Sequence, residues 1–308
     1  MKLLFGADEC YKLYLSDNFD DRNKDLEVVR FTFPGGEPHV KIAGIDGGDF
    51  PEDFHNLPIR IYHTIKSFND LGTLYMTIDA LRATNCWKIS LFLPYFPGAR
   101  QDRRAADVCE PLSVKVYADL INALKLDEVI IFDPHSEVAP ALINNCVVLS
   151  NHLFAQEAAI DDFSVYVAPD AGAVKKLEPY VYSPDIDWET NDDGLPDIVY
   201  CRKHRDMKTG ELSGFTMDKI DLKGSPCTVI DDICDGGRTF IEVAKLLKEN
   251  NAGDIHLIVS HGIFSNGTEE LSKWFKSITT SNSFFCYGEP GYKCPEVEVI
   301  DLIELYNL

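Results

Sequence analysis

Residues 227–239 read Cys-Thr-Val-Ile-Asp-Asp-Ile-Cys-Asp-Gly-Gly-Arg-Thr, and this stretch indicates the fold class of the whole chain. It begins as an apolar run of strand length, passes through Asp231 and Asp232, and turns at Gly236 and Gly237. Apolar residues at helical spacing follow, which predicts a helix over 240–249. A strand that runs through a glycine turn into a helix is typical of parallel α/β sheets.

The same alternation continues along the rest of the chain. Runs rich in Ile and Val carry few charges, as expected for parallel strands that are covered on both faces. The predicted strands are 60–65, 89–93, 129–132, 165–168, 198–201, 228–230 and 255–259, and the predicted helices are 71–84, 113–124 and 240–249. The pattern therefore predicts an α/β fold with mainly parallel sheets flanked by helices.

The chain has 308 residues, enough for two domains at roughly 100–200 residues per domain. The next strand–helix series begins after residue 150, so we expect domains over 1–150 and 151–308. We expect the last residues to pack back on the N-terminal domain.

The charge balance is strongly acidic, with 29 basic and 50 acidic residues and a net charge of −21. Nucleic acids and anionic membranes attract basic surfaces, so this balance argues against both as partners. A small anionic ligand held by a few cations remains compatible with it. Two basic clusters could supply them, although clustering alone fits solvated surface equally well: Arg100, Arg103 and Arg104, and Arg202, Lys203, Arg205 and Lys208.

Nine scattered cysteines form no CxxC pair and no zinc-ligand spacing, which favours a reducing compartment over a disulfide framework. Cys146 and Cys227 lie in apolar runs and are expected to behave as small buried hydrophobes. The apolar core before Asp8 is too short for a signal peptide, and no run approaches the ~18 apolar residues of a membrane helix. We expect a soluble, cytoplasmic protein.

The strand end at Asp231 and Asp232 suits a sugar phosphate. The backbone N–H groups of the glycine turn and the dipole of the following helix would bind the phosphate. The two carboxylates would accept hydrogen bonds from vicinal hydroxyls. The alternative is a tight turn with solvated acids.

The stretch VIDDICDGGRT (229–239) resembles the phosphoribosyl-diphosphate loop that type I phosphoribosyltransferases share with ribose-phosphate diphosphokinases, also called PRPP synthetases. Four further segments resemble the diphosphokinases and follow the family order: LPYFPGARQDRRAADVCEPLSVKVYADLI (93–121), VIIFDPHSE (129–137), YVAPDAG (166–172) and SHGIFS (260–265). The resemblance implies two type I phosphoribosyltransferase-like domains. The N-terminal one is expected to bind ATP and the C-terminal one ribose 5-phosphate.

On the ATP side, the resemblance implies that Arg100, Gln101, Glu37 and His135 contact the nucleotide. An arginine beside a polyphosphate is a fixed, bidentate cation. In the family, the glutamate that Glu37 matches reaches the adenine of ATP on a neighbouring subunit. The resemblance therefore implies a homodimer or higher homo-oligomer, with a hexamer as one form.

The resemblance also implies a magnesium site and a catalytic pair of cations. Asp133, His135 and Asp170 match residues at the metal, and Mg²⁺ prefers oxygen ligands. Lys203 and Arg205 match catalytic residues of a mobile loop whose tip here is 208–211. Without this motif, His135 would read as an ordinary strand-end histidine.

The implied ribose 5-phosphate site comprises Asp231, Asp232, Asp235, Gly236, Gly237, Arg238 and Thr239. The family usually has threonine and small residues at 236–238, and Asn or Asp where this chain has Gly35. These departures resemble a divergent branch of the family found in phages and bacteria.

The implied reaction transfers the β,γ-diphosphoryl group of ATP to the C1 hydroxyl of ribose 5-phosphate. The products are phosphoribosyl diphosphate, a precursor for nucleotide biosynthesis, and AMP. A phosphoribosyltransferase with the same loop is one alternative, but it leaves the segment at 93–121 unexplained. A non-catalytic homologue that assembles with an active synthetase is the other.

Overall fold

The computed structural model describes residues 11–15, 26–45, 58–86, 88–104, 109–158, 165–181, 198–205, 212–284 and 297–308. The chain divides into two compact units, Met1–Leu149 and Ser150–Leu308. Each unit is built around its own sheet.

The first unit contains seven described strands and three described helices. In chain order they are β1 (Tyr11–Leu15), β2 (Leu26–Thr32), β3 (Pro38–Ile45), β4 (Pro58–His63), α1 (Phe68–Ala83), β5 (Lys88–Leu93), α2 (Ser113–Ala123), β6 (Glu128–Phe132), α3 (Val138–Leu142) and β7 (Cys146–Leu149). Five strands form a sheet in the order β1-β4-β5-β6-β7, and β2 and β3 form a separate antiparallel hairpin. The pairs from β4 to β7 are parallel, and β1 runs antiparallel to β4.

The core of the first unit lies where α1 and α2 cover the apolar strands. Ile61 and Leu91 contribute from the sheet, Leu74 and Ile78 from α1, and Ala118 from α2, and all are buried. Helix α1 starts three residues before the predicted Leu71 because Ser67 and Asp70 form a capping box. Each side chain of the box bonds the backbone N–H of the other residue.

The second unit contains seven further strands and four helices among its described residues. They are α4 (His152–Ala158), β8 (Val165–Ala168), α5 (Val174–Val181), β9 (Ile198–Arg205), β10 (Leu212–Met217), β11 (Cys227–Cys234), α6 (Arg238–Glu249), β12 (Ile255–Gly262), β13 (Ser277–Ser281), β14 (Val297–Ile300) and α7 (Leu302–Tyr306). The strand order is β10-β9-β8-β11-β12-β13-β14. Only the pairing of β10 with β9 is antiparallel among these described strands.

Helix α6 lies against β10 and β11, and its apolar face belongs to the core of the second unit. Val243, Ala244 and Leu247 are buried against Val229 and Leu257, as the helical spacing at 240–249 predicts. The predicted α/β class, with a mainly parallel sheet flanked by helices in each half, is confirmed.

The last residues form α7, which packs on α4 within the second unit. The Tyr306 hydroxyl donates to the carbonyl of Ser150 at 2.5 Å, and Asp301 caps the helix by accepting from the N–H groups of Ile303 and Glu304. These contacts tie the last described residues to the start of their own unit.

The cysteine prediction is confirmed for Cys227, which is fully buried. Burial raises the pKa of its thiol to about 12, so it stays protonated and acts as a small apolar side chain. Cys146 is partly exposed on β7, and burial raises its pKa as well. No helix in the described part of the chain has the length and apolar character needed to cross a membrane.

Gly253 holds a close backbone contact at the start of β12, which gives the first testable prediction. Its N–H donates to the carbonyl of Ser225 at 2.8 Å, and a Cβ there would lie 2.1 Å from the carbonyl oxygen of Gly224. We expect Gly253→Ala to reduce the free energy of unfolding by about 3 kcal/mol, because backbone must move. Urea unfolding measures this.

The matched control is Gly35→Ala, where the nearest atom to the added methyl group is 3.8 Å away. Equal stability of the two variants would contradict the close approach at Gly253.

Candidate active site

The candidate residues of the second unit follow neighbouring parallel strands. Asp170 comes two residues after β8, and Asp231 and Asp232 lie in the last half of β11, which pairs with β8. The carboxyl ends of parallel strands share one edge of a sheet, where α/β proteins bind ligands. The strand does not stop at the acids as predicted, because β11 continues its pairing with β12 through Cys234 and Gly262.

Asp232 and Asp170 lie close enough to Asp231 to influence the ionisation of its carboxyl group. Asp232 is buried, and its backbone N–H donates to the Asp231 side chain at 2.9 Å. Burial, and then the negative charges of Asp232 and Asp170, raise the pKa of Asp231 well above its ordinary value. The structure therefore brings together the predicted metal-side aspartate and the two predicted ribose-side aspartates.

The glycine turn connects this acidic edge to α6. Gly237 has φ +77°, and a Cβ on it would lie 3.2 Å from the Leu271 side chain. Helix α6 begins at Arg238, two residues earlier than the predicted Phe240. The free N–H groups of the first helical turn, next to the exposed Arg238 and the partly exposed Asp235, form an anion-binding geometry.

Lys203 and Arg205 lie on β9, beside β8. Tyr200 pairs with the last residue of β8, and β9 then continues through Lys203 and Arg205, paired with β10 alone. At about 3.3 Å per residue, the backbone of Lys203 lies about 10 Å beyond the end of β8, on the Asp170 side. The predicted loop tip at 208–211 lies outside the described residues.

In the first unit, Arg100 and Gln101 belong to the turn that follows β5. The Gln101 N–H donates to the carbonyl of Gly98 at 2.9 Å, and the Ser113 hydroxyl donates to the Gln101 side chain. Gly98 has φ +71°, and a Cβ on it would lie 3.1 Å from Ser113 and Tyr117. The turn is thus packed on the start of α2 and leaves the Arg100 side chain exposed.

Asp133 and His135 follow β6, the neighbour of β5, so they share the carboxyl edge of the first sheet with Arg100. Asp133 is buried with φ +35°, and its N–H donates to the carbonyl of Leu149 at 2.9 Å. His135 is exposed. An aspartate tolerates the left-handed region better than most residues, and such conformations concentrate at functional sites.

Glu37 lies on the hairpin and not on the sheet. It is exposed at the turn between β2 and β3, where its carbonyl accepts from the N–H of Phe33 at 2.9 Å. The neighbouring Pro38 packs on α1, since its Cγ would lie 2.9 Å from a Cβ on Gly72. The structure thus places Glu37 on a different element from Arg100 and Gln101.

His63 is a strand-end residue that the sequence analysis did not identify. It ends β4, beside the turn after β5, and its Nε2 lies 2.9 Å from the carbonyl of Asp70 in α1. Burial lowers its pKa to about 4, so the ring is neutral at physiological pH. The sequence signal that could have identified His63 is its position at the end of an apolar strand.

Within the described residues, no group of three or more His, Cys, Asp or Glu side chains forms a ready metal cage. Mg²⁺ is often held by one or two carboxylates together with substrate phosphates and water, and does not need such a cage. The oxygen donors at both strand edges fit that kind of binding.

Two family models match the chain. “N-terminal domain of ribose phosphate pyrophosphokinase” matches residues 60–124, and “Phosphoribosyl transferase domain” matches residues 193–290. A Mycoplasma genitalium protein named ribose-phosphate pyrophosphokinase is 28% identical over 97% of this chain and 84% of its own. The chain belongs to the ribose-phosphate pyrophosphokinase family. The family predicted from the motifs, under its synonym diphosphokinase, is confirmed.

Other relatives of this family agree. A Vibrio parahaemolyticus ribose-phosphate pyrophosphokinase is 29% identical over 81% of this chain and 74% of its own. The crystal structure of phosphoribosylpyrophosphate synthetase from Mycobacterium smegmatis matches with a TM-score of 0.69 at 22% identity. The match covers 92% of this chain and 88% of the Mycobacterium smegmatis chain, so the fold is shared over nearly the full length.

The raised pKa of Asp231 predicts a stability effect that depends on pH. When folding raises the pKa of an acid, the native state loses stability as the pH increases from the acid's ordinary pKa towards its raised pKa. We therefore expect Asp231→Asn to be more stable than the unsubstituted protein at about pH 8, by a margin that shrinks towards about pH 4. Urea unfolding in metal-free buffer measures the margin.

The control is Asp79→Asn, which neutralises an exposed carboxylate on α1. The raised pKa of Asp231 is contradicted if the stability gain of Asp231→Asn does not change with pH. It is also contradicted if that gain equals the gain of Asp79→Asn.

Proposed function

We propose that the protein is a ribose-phosphate diphosphokinase. It transfers the β,γ-diphosphoryl group of ATP to the C1 hydroxyl of ribose 5-phosphate and releases AMP. The observation that carries this proposal is the match to the N-terminal pyrophosphokinase domain in addition to the phosphoribosyl transferase domain. A phosphoribosyltransferase that uses only the glycine loop does not account for that first match.

Ribose 5-phosphate binds at the end of β11 in this proposal. The N–H groups at the start of α6, with Gly236, Gly237, Arg238 and Thr239, bind the 5-phosphate. Asp231 and Asp232 accept hydrogen bonds from the vicinal ribose hydroxyls, and Asp235 lies beside them. Hydroxyl donors would offset the cost of ionising these crowded carboxylates, which supports the assignment.

ATP binds at the edge of the first sheet, at Arg100, Gln101 and His135. The exposed Arg100 presents a bidentate cation to the phosphates, and the Ser113 hydroxyl orients Gln101. Glu37 binds the adenine of ATP on a neighbouring subunit, and this makes the active form a homodimer or a higher homo-oligomer.

The reaction forms a bond between the ribose O1 and the β-phosphorus while the bond from that phosphorus to the α-phosphate oxygen breaks. Lys203 and Arg205 neutralise the charge that develops on the transferring group. Mg²⁺ would be held at the edge of the first sheet by Asp133, with His135 beside it, and at the edge of the second sheet by Asp170, and when bound it would offset polyphosphate charge. The scattered cysteines, which form no CxxC pattern in the sequence, support a cytoplasmic location.

The direct test incubates purified protein with ATP, Mg²⁺ and ribose 5-phosphate and measures AMP. We expect AMP only when all three are present. If no AMP forms at any protein concentration, the proposal is wrong, and the alternative of a non-catalytic homologue is favoured. Release of pyrophosphate from phosphoribosyl diphosphate and a nucleobase, without the first reaction, would favour a phosphoribosyltransferase.

Removal of the proposed catalytic cation should separate turnover from binding. We expect Lys203→Ala to lower kcat by a factor of about 100 or more, because the transition state loses a positive charge. Ribose 5-phosphate binding, measured by calorimetry, should stay within about twofold, since Lys203 is assigned to the transferring diphosphoryl group. Lys219→Ala removes an exposed lysine of the same unit and is the control. Near-normal turnover of Lys203→Ala would remove this role.

A further inference from the structure

The segment that follows β12, residues 263–266, contacts the end of β11 and the glycine turn after it. The N–H groups of Ile263 and Phe264 both donate to the carbonyl of Cys234, at 2.8 and 3.1 Å. The Asn266 side-chain amide then donates to the carbonyl of Gly236 at 3.1 Å. This segment belongs to a different strand connection, so the turn after β11 is held by residues about 30 positions further along.

The hydrogen bond from Asn266 acts on a peptide group that could otherwise rotate. Gly236 and Gly237 flank it, and glycine on both sides lets a peptide plane adopt either orientation at low cost. No cis bond occurs among the described residues, so the Gly237 N–H points opposite to the Gly236 carbonyl. A donor that fixes the carbonyl on the Asn266 side therefore directs the Gly237 N–H to the other side.

Asn266 also accounts for the glycine at position 236. A Cβ on Gly236 would lie 2.9 Å from Asn266 Nδ2, whereas the next atoms, in Asn266 and Ser265, are 3.8 and 3.9 Å away. The Asn266 amide thus occupies the space that a side chain at 236 would need. Gly236 makes room for the amide, and the amide holds the Gly236 carbonyl.

We propose that Asn266 is a positioning residue for the sugar-phosphate loop. It acts through the Gly236–Gly237 peptide and keeps that N–H available to the phosphate of ribose 5-phosphate. The inference rests on the proposed function for the identity of the ligand. Asn266 is exposed, so water can partly replace its donor after truncation, whereas a carboxylate at the same place would repel the carbonyl oxygen.

The first test compares Asn266→Asp and Asn266→Ala. We expect the dissociation constant and the KM for ribose 5-phosphate to rise about tenfold in Asn266→Asp and a few-fold in Asn266→Ala. The kcat at saturation and the KM for ATP should stay near normal, and a general loss of structure would lower kcat as well. Asn144→Asp, the same change at an exposed site in the first unit, is the control. Unchanged ribose 5-phosphate affinity in both Asn266 variants overturns the proposal.

The second test is a double-substitution cycle with Gly236→Ala. The added methyl group should displace the Asn266 amide and weaken ribose 5-phosphate binding as much as Asn266→Ala does. The double variant should bind no worse than the weaker single variant, because both changes remove one interaction. Additive losses in the double variant overturn the coupling.

Calorimetric binding separates this inference from the proposed function. If the protein binds ribose 5-phosphate but forms no AMP, the proposed reaction is wrong. The affinities of the Asn266 variants for ribose 5-phosphate then still test the positioning role. A protein that binds no ribose 5-phosphate overturns both.

Discussion

Asp231 and Asp232 carry adjacent carboxylates at the end of β11, in a place where burial and mutual repulsion make full ionisation costly. Only a rigid support can hold two such groups together. Strand β11 has it because β12 pairs with it through Cys234, while β8 pairs with its first residues, 227–229. Hydroxyl donors or a cation at this edge would lower the cost. The edge is therefore arranged to favour a ligand, and its chemistry follows from the sheet beneath it.

The rigidity of this edge extends through β12 into β13. Ser281 donates from its hydroxyl to the carbonyl of Ser260 at 2.5 Å, and Thr280 accepts from the N–H of Gly262 at 2.8 Å. These hydroxyls are fully buried and hydrogen-bonded, so they act as cross-links between neighbouring strand ends. They fix the start of the segment that carries Asn266, which in turn contacts the glycine turn.

Elements with strong apolar periodicity were predictable, and polar or edge elements were not. The strand Val165–Ala168 is a continuous apolar run, and Ile255–Gly262 contains one at 257–259, so the positions of both follow from the residues. Strand β13 reads Ser-Ile-Thr-Thr-Ser, and its burial depends on hydroxyl partners in β12 that local sequence does not reveal. The β2–β3 hairpin and β10 were missed because antiparallel and edge strands carry mixed side chains.

The sequence by itself determined the α/β class, the succession of the main strands along the chain, and the identity of the strand-end residues Arg100, His135, Asp170 and Asp231. The fold class follows from local periodicity and Asp231 from its place at a strand end, whereas Arg100, His135 and Asp170 were identified by their resemblance to family motifs. Tertiary structure alone decided the raised pKa of Asp231, the neutral His63 and the contact of Asn266 with Gly236. Each of these depends on groups distant in sequence, because desolvation and backbone contact are set by what packs around a residue.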